Sequence, residues 1–142
     1  MGFTPTDELL ARVPLFAGLS KKELADISNL ATRLDLTAGR TLTREGALGH
    51  EFVIVLDGDV DVLIDGEVVA SPAAGQCYGE IALLEDRPRT ATVVARSDVT
   101  VDVIGRPEFA ALLARQPKVE ERLRQTMAET LAKNERHERE TT

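Results

Sequence analysis

Residues 75–95 read Gly75-Gln-Cys-Tyr-Gly79-Glu80-Ile81-Ala82-Leu83-Leu84-Glu-Asp-Arg-Pro88-Arg89-Thr90-Ala91-Thr92-Val-Val-Ala95. These residues combine the means to hold an anion with one carboxylate. Glycine at 79 lets a ligand approach the backbone, because no side chain intervenes. The apolar turn that follows, Ile81 to Leu84, offers free amides and the positive end of a helix dipole at its start. Arg89 supplies a permanently charged fork of donors that can meet two phosphate oxygens at once. Thr90 adds a hydroxyl and its own amide, and Pro88 stiffens the approach to Arg89.

Glu80 is acceptor-only, so it cannot hold a phosphate, but it can accept a hydrogen bond from a sugar hydroxyl beside one. Donors for a phosphate and an acceptor for a hydroxyl on the same ring system suit a nucleotide whose phosphate is tied close to its ribose. Each residue also has a plain reading. Alone, Arg89 is a surface arginine paired with Glu85 or Asp86, and Glu80 is an ordinary acid at a helix start. Ile81, Leu83 and Leu84 read most simply as core. It is the combination at this spacing that points to a ligand.

The elements that must position these residues fall into three regions. Residues about 4–34 read as helical. Thr4-Pro5 resembles an N-cap and first-turn pair, with Asp7 and Glu8 in the first turn, and Pro14 ends that helix. Ser20 and Glu23 have capping-box spacing ahead of Leu24, Ile27, Leu30 and Ala31 on one face. Residues about 35–104 read as β. Phe52 to Leu56 is a strand, Asp57-Gly58 and Asp65-Gly66 are tight turns, and Val60, Val62 and Ile64 alternate with Asp59 and Asp61. Thr92-Val93-Val94 and Val99 to Val103 repeat the strand pattern around a Ser97-Asp98 turn. A short helix at about 80–84 is inserted between strands.

Residues about 107–137 are helical again. Phe109, Leu112 and Leu113 form one face, Pro117 interrupts, and a longer helix runs from about Val119 to His137. Glu120–Arg124, Glu129–Lys133 and Glu135–Arg139 lie in the favourable i,i+4 order on it. Its stripe of Val119, Leu123, Met127 and Leu131 is too sparse for a long coiled coil; it suits packing on the β region or a homodimer contact over a short length. The expected architecture is a single α+β domain, 1–142: an antiparallel β jelly-roll barrel of double-stranded β-helix type with flanking N- and C-terminal helices.

Bulk properties narrow the function classes. The 142 residues fit one domain, and no apolar run approaches membrane-spanning length. A net charge of −7 argues against direct nucleic-acid binding, so an anion site here must be a local device. The one cysteine, Cys77, cannot form an internal disulfide and points to a reducing, cytoplasmic setting. A metal-dependent enzyme on a similar barrel would need two or three histidines with a carboxylate, and the β region holds only His50. No catalytic or metal residue is assigned.

The stretch Gly79-Glu80-Ile81-Ala82-Leu83-Leu84, then Pro88-Arg89-Thr90-Ala91-Thr92, resembles the phosphate-binding cassette of the cyclic-nucleotide-binding domain family. That family includes catabolite-activator-type regulators, cyclic-nucleotide-dependent kinases and cyclic-nucleotide-gated channels. Val13 to Ser20 resembles the family's N-terminal helical motif, and Arg44-Glu45-Gly46, Phe52-Val53-Ile54 and Leu56-Asp57-Gly58 its strand and turn landmarks.

The resemblance spans about residues 8–115. It implies that Gly79, Glu80, Ile81, Ala82, Arg89, Thr90 and Ala91 bind a cyclic nucleotide. Glu80 would hold the ribose 2′-hydroxyl and Arg89 the exocyclic phosphate oxygens. The amides of Ile81 and Ala82, with Thr90, would complete the phosphate shell. Two departures stand out: Tyr78 occupies a place where the family commonly has Phe, and the final helix has no aromatic to cap the base.

Thr90 does not separate cAMP from cGMP; the bacterial look of the chain favours cAMP. The resemblance implies a non-catalytic sensor without a cofactor, acting by movement of the C-terminal helices on an effector protein or fused domain, with no membrane partner. The alternative is a degenerate pocket kept as a structural or protein-interaction module.

Overall fold

The computed structural model describes residues 5–84 and 88–141, and the side chains within them except at 5–7, 81, 82, 130 and 133–141. The expected N-cap at Thr4 and the acids Glu85 and Asp86 lie outside the described residues.

Helix α1 spans Pro5–Ala11, and Pro14–Phe16 forms a 3-10 turn with the proline at its first position. Pro14 therefore starts a turn rather than ending α1. Helix α2, Lys21–Leu30, begins with the expected capping box: the Glu23 amide donates to Ser20 Oγ at 3.1 Å, and the Ser20 amide donates to Glu23 Oε1 at 2.8 Å. The Ser20 amide on its carboxylate first, then the Ser20 hydroxyl, hold the Glu23 carboxyl below its ordinary value.

The expected helical region to residue 34 ends four residues early, at Leu30. Ala31 is extended, and Thr32–Leu36 forms strand β1. Its register against the last strand, from Thr32 opposite Val103 to Leu36 opposite Val99, outweighs local helical pattern. Arg33 and Asp102 fix this pairing with an ion pair at 3.0 Å, the carboxylate side chain only 2% exposed.

Strands β2 (Thr41–Thr43), β3 (Glu51–Asp57), β4 (Val60–Ile64), β5 (Glu67–Ala70), β6 (Cys77–Tyr78), β7 (Thr92–Ala95) and β8 (Val99–Gly105) complete two antiparallel sheets. Their orders are β1-β8-β3-β6 and β2-β7-β4-β5. This is the jelly-roll arrangement, but the sheets face each other without closing into a barrel. Among the described residues the ladders stay within each sheet, and β6, two residues long, offers little edge on which closure could build.

The β4–β5 hairpin turns at Asp65 and Gly66, both at positive φ, the two-residue geometry that Asp-Gly favours. In the β3–β4 turn, a Cβ on Gly58 would meet the Asp98 carbonyl, so two connections pack closely there.

Strand β3 is buried from Phe52 to Leu56 because both of its faces are covered. Val53 and Val55 face the space between the sheets with Val60, Val93 and Val101. Phe52, Ile54 and Leu56 face the helices, against Leu10, Phe16, Ile27, Phe109 and Leu112. The inserted helix α3 is Glu80–Leu84, and α4 is Arg106–Arg115. Helix α5 runs Pro117–Thr141, beyond the expected 119–137. Pro117 opens it at a position where a missing N–H costs nothing. Val119 and Leu123 are buried on the helical side of the core, and Glu120–Arg124 pairs at 3.5 Å. Lys133, Glu135 and Arg139 lie outside the described side chains. Among the described residues, no helix is long and apolar enough to cross a membrane.

Candidate ligand-binding site

The short β6 strand and helix α3 carry one half of the site. Side-chain alternation sends Cys77 toward the helical cluster and Tyr78 toward the cluster between the sheets. Gly79 follows with φ +101°, a left-handed conformation that reverses the chain into α3. Its carbonyl accepts the Leu83 amide at 3.2 Å, so Gly79 stands at the helix start with Glu80, Ile81 and Ala82 in the first turn. The side chains of Ile81 and Ala82 lie outside the described residues.

The other half comes from the segment entering β7. Arg89 is clamped to the β2–β3 loop by two backbone bonds: its amide donates to the Ala47 carbonyl and its carbonyl accepts the Gly46 amide, each at 2.9 Å. Thr43 Oγ1 donates to the Ala91 carbonyl at 3.1 Å, and the Glu45 amide donates to Thr92 Oγ1 at 2.9 Å. Thr90 and Ala91 are both half-buried, and they lie between the anchored Arg89 and Thr92. Arg106, at the start of α4, donates to the Gly49 carbonyl at 2.8 Å and holds the far end of the same loop.

These halves meet at Gly79. Arg89 Nη2 donates to the Glu51 carbonyl at 2.8 Å, and the guanidinium lies where a Cβ on Gly79 would be. Arg89 Nη1 is buried and has no hydrogen-bond partner among the described residues. Burial holds this guanidinium below its ordinary pKa, against the opposing pull of Glu51 and Glu80. A desolvated cation with an unused N–H is an arrangement that an anion improves.

Glu80 is 6% exposed. It lines a pocket of about 260 Å³ between segment 75–80 and α5, opposite Arg122, Gln125 and Thr126. Its charge reaches Tyr78 as well as Arg89; burial first, then the Cys77 and Glu80 charges, push the Tyr78 hydroxyl up. Burial chiefly, and Glu80 secondarily, push the Cys77 thiol up, which makes it a poor nucleophile. His50 is exposed.

The structure thus brings Arg89 against Gly79 at the start of α3, where Glu80, Ile81 and Ala82 follow, while Thr90 and Ala91 follow Arg89 along the chain. Sequence reasoning missed the Glu51 carbonyl, Arg106, and Arg122, whose Nη1 donates to the Leu15 and Ala17 carbonyls at 2.9 and 2.8 Å. A carbonyl partner carries no residue-type signal. The arginines lie far along the chain from what they hold, so no local motif could have linked them.

Residues 33–116, more than half of the chain, match the family model described as the cyclic nucleotide-binding domain. The cAMP-dependent protein kinase regulatory subunit of Aspergillus niger is 37% identical over 109 residues, covering 75% of this chain and 26% of its own. The chain thus spans about a quarter of the length of the curated relatives it matches.

The catabolite activator protein of Thermus thermophilus superposes with TM-score 0.75 at 27% identity, over 87% of this chain and 61% of that one. The regulatory subunit of a cAMP-independent protein kinase A from Trypanosoma brucei gives TM-score 0.76 at 25% identity, over 86% and 46%. By its matched family model and by the sandwich that builds its site, the chain belongs to the cyclic nucleotide-binding domain family.

Proposed function

We propose that this domain binds a cyclic nucleotide, cAMP rather than cGMP, at Gly79, Glu80, Ile81, Ala82, Arg89, Thr90 and Ala91, and acts as a non-catalytic regulatory sensor. The observation that carries the reading is the buried Arg89 Nη1, without a partner among the described residues and lying against Gly79. The phosphate bonds to Arg89, the α3 amides and Thr90. Glu80 accepts from the ribose hydroxyl, which requires its carboxylate to face the ligand as well as the pocket beneath α5.

The preference for cAMP rests on the kinase regulatory subunits among the relatives. The Aspergillus relatives are fungal, so they lend nothing to the bacterial character that the sequence suggests. The domain is proposed to work in the cytoplasm without a membrane partner or a cofactor.

Signalling is proposed to pass through α5. Helix α3 packs directly on α5, and α5 also packs on the 3-10 turn, to which Arg122 ties it. Ligand drawn onto the start of α3 changes the surface that α5 rests on and shifts its population of positions. The break at Gln116 between α4 and α5 supplies the hinge. The receiver is a separate effector protein, a kinase by analogy with the relatives, or a fused domain; a homodimer through α5 is a further partner.

The Trypanosoma brucei relative, a subunit of a cAMP-independent kinase, favours a second reading in which the scaffold serves as an interaction module without cAMP control. Thermal unfolding with increasing cAMP, cGMP or linear AMP separates the two. A saturable rise in melting temperature with cAMP, smaller with cGMP and absent with AMP, is expected. No shift with either cyclic nucleotide at millimolar concentration contradicts the sensor.

A further inference from the structure

Among the described residues, the buried side-chain nitrogen and oxygen atoms without a hydrogen-bond partner are Arg89 Nη1 and Tyr78 Oη. The first is explained by an anion at the cassette. The second lies on the residue directly before Gly79, and the phosphate and ribose contacts proposed above do not use it. A phenol buried without a partner destabilises a fold, and Phe at this place would fill the same space without that cost. Retaining the hydroxyl therefore calls for a partner that the described residues do not supply.

Three observations bear on where that partner comes from. Tyr78, in β6, pairs with Val53 of β3, and its side chain packs against the valines between the sheets. Its hydroxyl oxygen, like Arg89 Nη1, is closed off from water. Tyr78 directly precedes Gly79, the residue against which the Arg89 guanidinium lies, and Glu80 acts electrostatically on both Tyr78 and Arg89. Beside a carboxylate and out of water, the phenol keeps its proton and serves as a neutral donor.

We propose that Tyr78 Oη is a ligand-binding group that donates a hydrogen bond to an oxygen of the ribose-phosphate ring of the bound cyclic nucleotide. This rests on the cyclic-nucleotide reading of the cassette and adds to it a donor that sets affinity from inside the sandwich. Tyr78 positions no other residue; it touches ligand directly.

The test compares wild type with Tyr78→Phe by calorimetric titration with cAMP, 2′-deoxy-cAMP and the two phosphorothioate diastereomers. Tyr78→Phe is expected to weaken cAMP about five- to thirty-fold, the range for one lost hydrogen bond from a desolvated site. Its ligand-free melting temperature should hold or rise. The loss should shrink for the one analogue whose altered atom accepts from the phenol, which identifies the oxygen.

Tyr78 is the sole tyrosine, so a single 13Cζ-tyrosine resonance reports the hydroxyl and should shift on adding cAMP. Unchanged affinity in Tyr78→Phe while wild type binds overturns this proposal and leaves the sensor standing. An equal loss for all analogues, or a marked fall in ligand-free stability, also overturns it, because the hydroxyl then serves the fold. If wild type binds no cyclic nucleotide at all, the sensor reading and the Tyr78 proposal fall together.

Discussion

Arg89 Nη1 occupies the place that a Cβ on Gly79 would need, so the guanidinium lies on the glycine backbone. A residue at φ +101° with a cation against its α-carbon tolerates no larger side chain. Gly79→Ala forces a strained backbone and brings its methyl within 2.6 Å of the Glu51 carbonyl, the acceptor that holds Arg89. The expected outcome is a loss of about 1–3 kcal/mol in stability and at least tenfold in cyclic-nucleotide affinity, read by denaturant unfolding and titration. Wild-type affinity in Gly79→Ala would contradict the placement of Arg89.

Arg89→Lys keeps the charge and loses the fork. An ammonium cannot hold the Glu51 carbonyl and present a second N–H in the same plane. Affinity for cAMP should fall about 10- to 100-fold, the scale of one charge-assisted bond, with the melting temperature of the ligand-free protein nearly unchanged. Equal affinities for Lys and Arg would mean that charge alone is read.

Arg122→Ala removes two bonds that tie α5 to the carbonyls at the end of the 3-10 turn. In a Cys77→Ala background, spin labels at Arg12 and Glu121 should give a broader distance distribution in this variant than in its parent, before any ligand is added. Adding cAMP should move the parent toward the variant. Distances that neither the substitution nor the ligand changes would remove α5 as the output.

The Glu23 carboxyl is held below its ordinary value of 4.5, chiefly by its backbone bond with Ser20. A lowered folded value means that Glu23 contributes stability above 4.5 and loses it as pH falls through the folded value. Urea unfolding of Glu23→Gln should show a deficit at neutral pH that vanishes toward pH 3. A deficit that persists at acid pH would assign the effect to packing.

Much of the fold is legible in the sequence because short-range chemistry dictates it. Ser20 with Glu23 writes a helix start, Asp65-Gly66 a hairpin, and the alternation from Asp59 to Ile64 a half-buried strand. Thr32–Leu36 misleads because its partner, β8, lies some seventy residues away and supplies most of the reason to be extended. The open edges of the sandwich are equally illegible, since closure is decided by strand length and twist across the whole molecule. In the site, charge and backbone freedom announce Gly79, Glu80 and Arg89. The hydroxyl of Tyr78 reads as a mild change from Phe in the sequence, and only the fold reveals its burial without a partner.

The central claim is that the cassette at Gly79 and Arg89 binds a cyclic nucleotide, and calorimetric titration of cAMP into wild type and Arg89→Ala tests it most directly. The account predicts one saturable site per chain in wild type and a loss of about 2–5 kcal/mol in binding free energy in Arg89→Ala, because a desolvated phosphate loses its charge partner. Heat traces that are flat in both proteins, or identical in both, would contradict it.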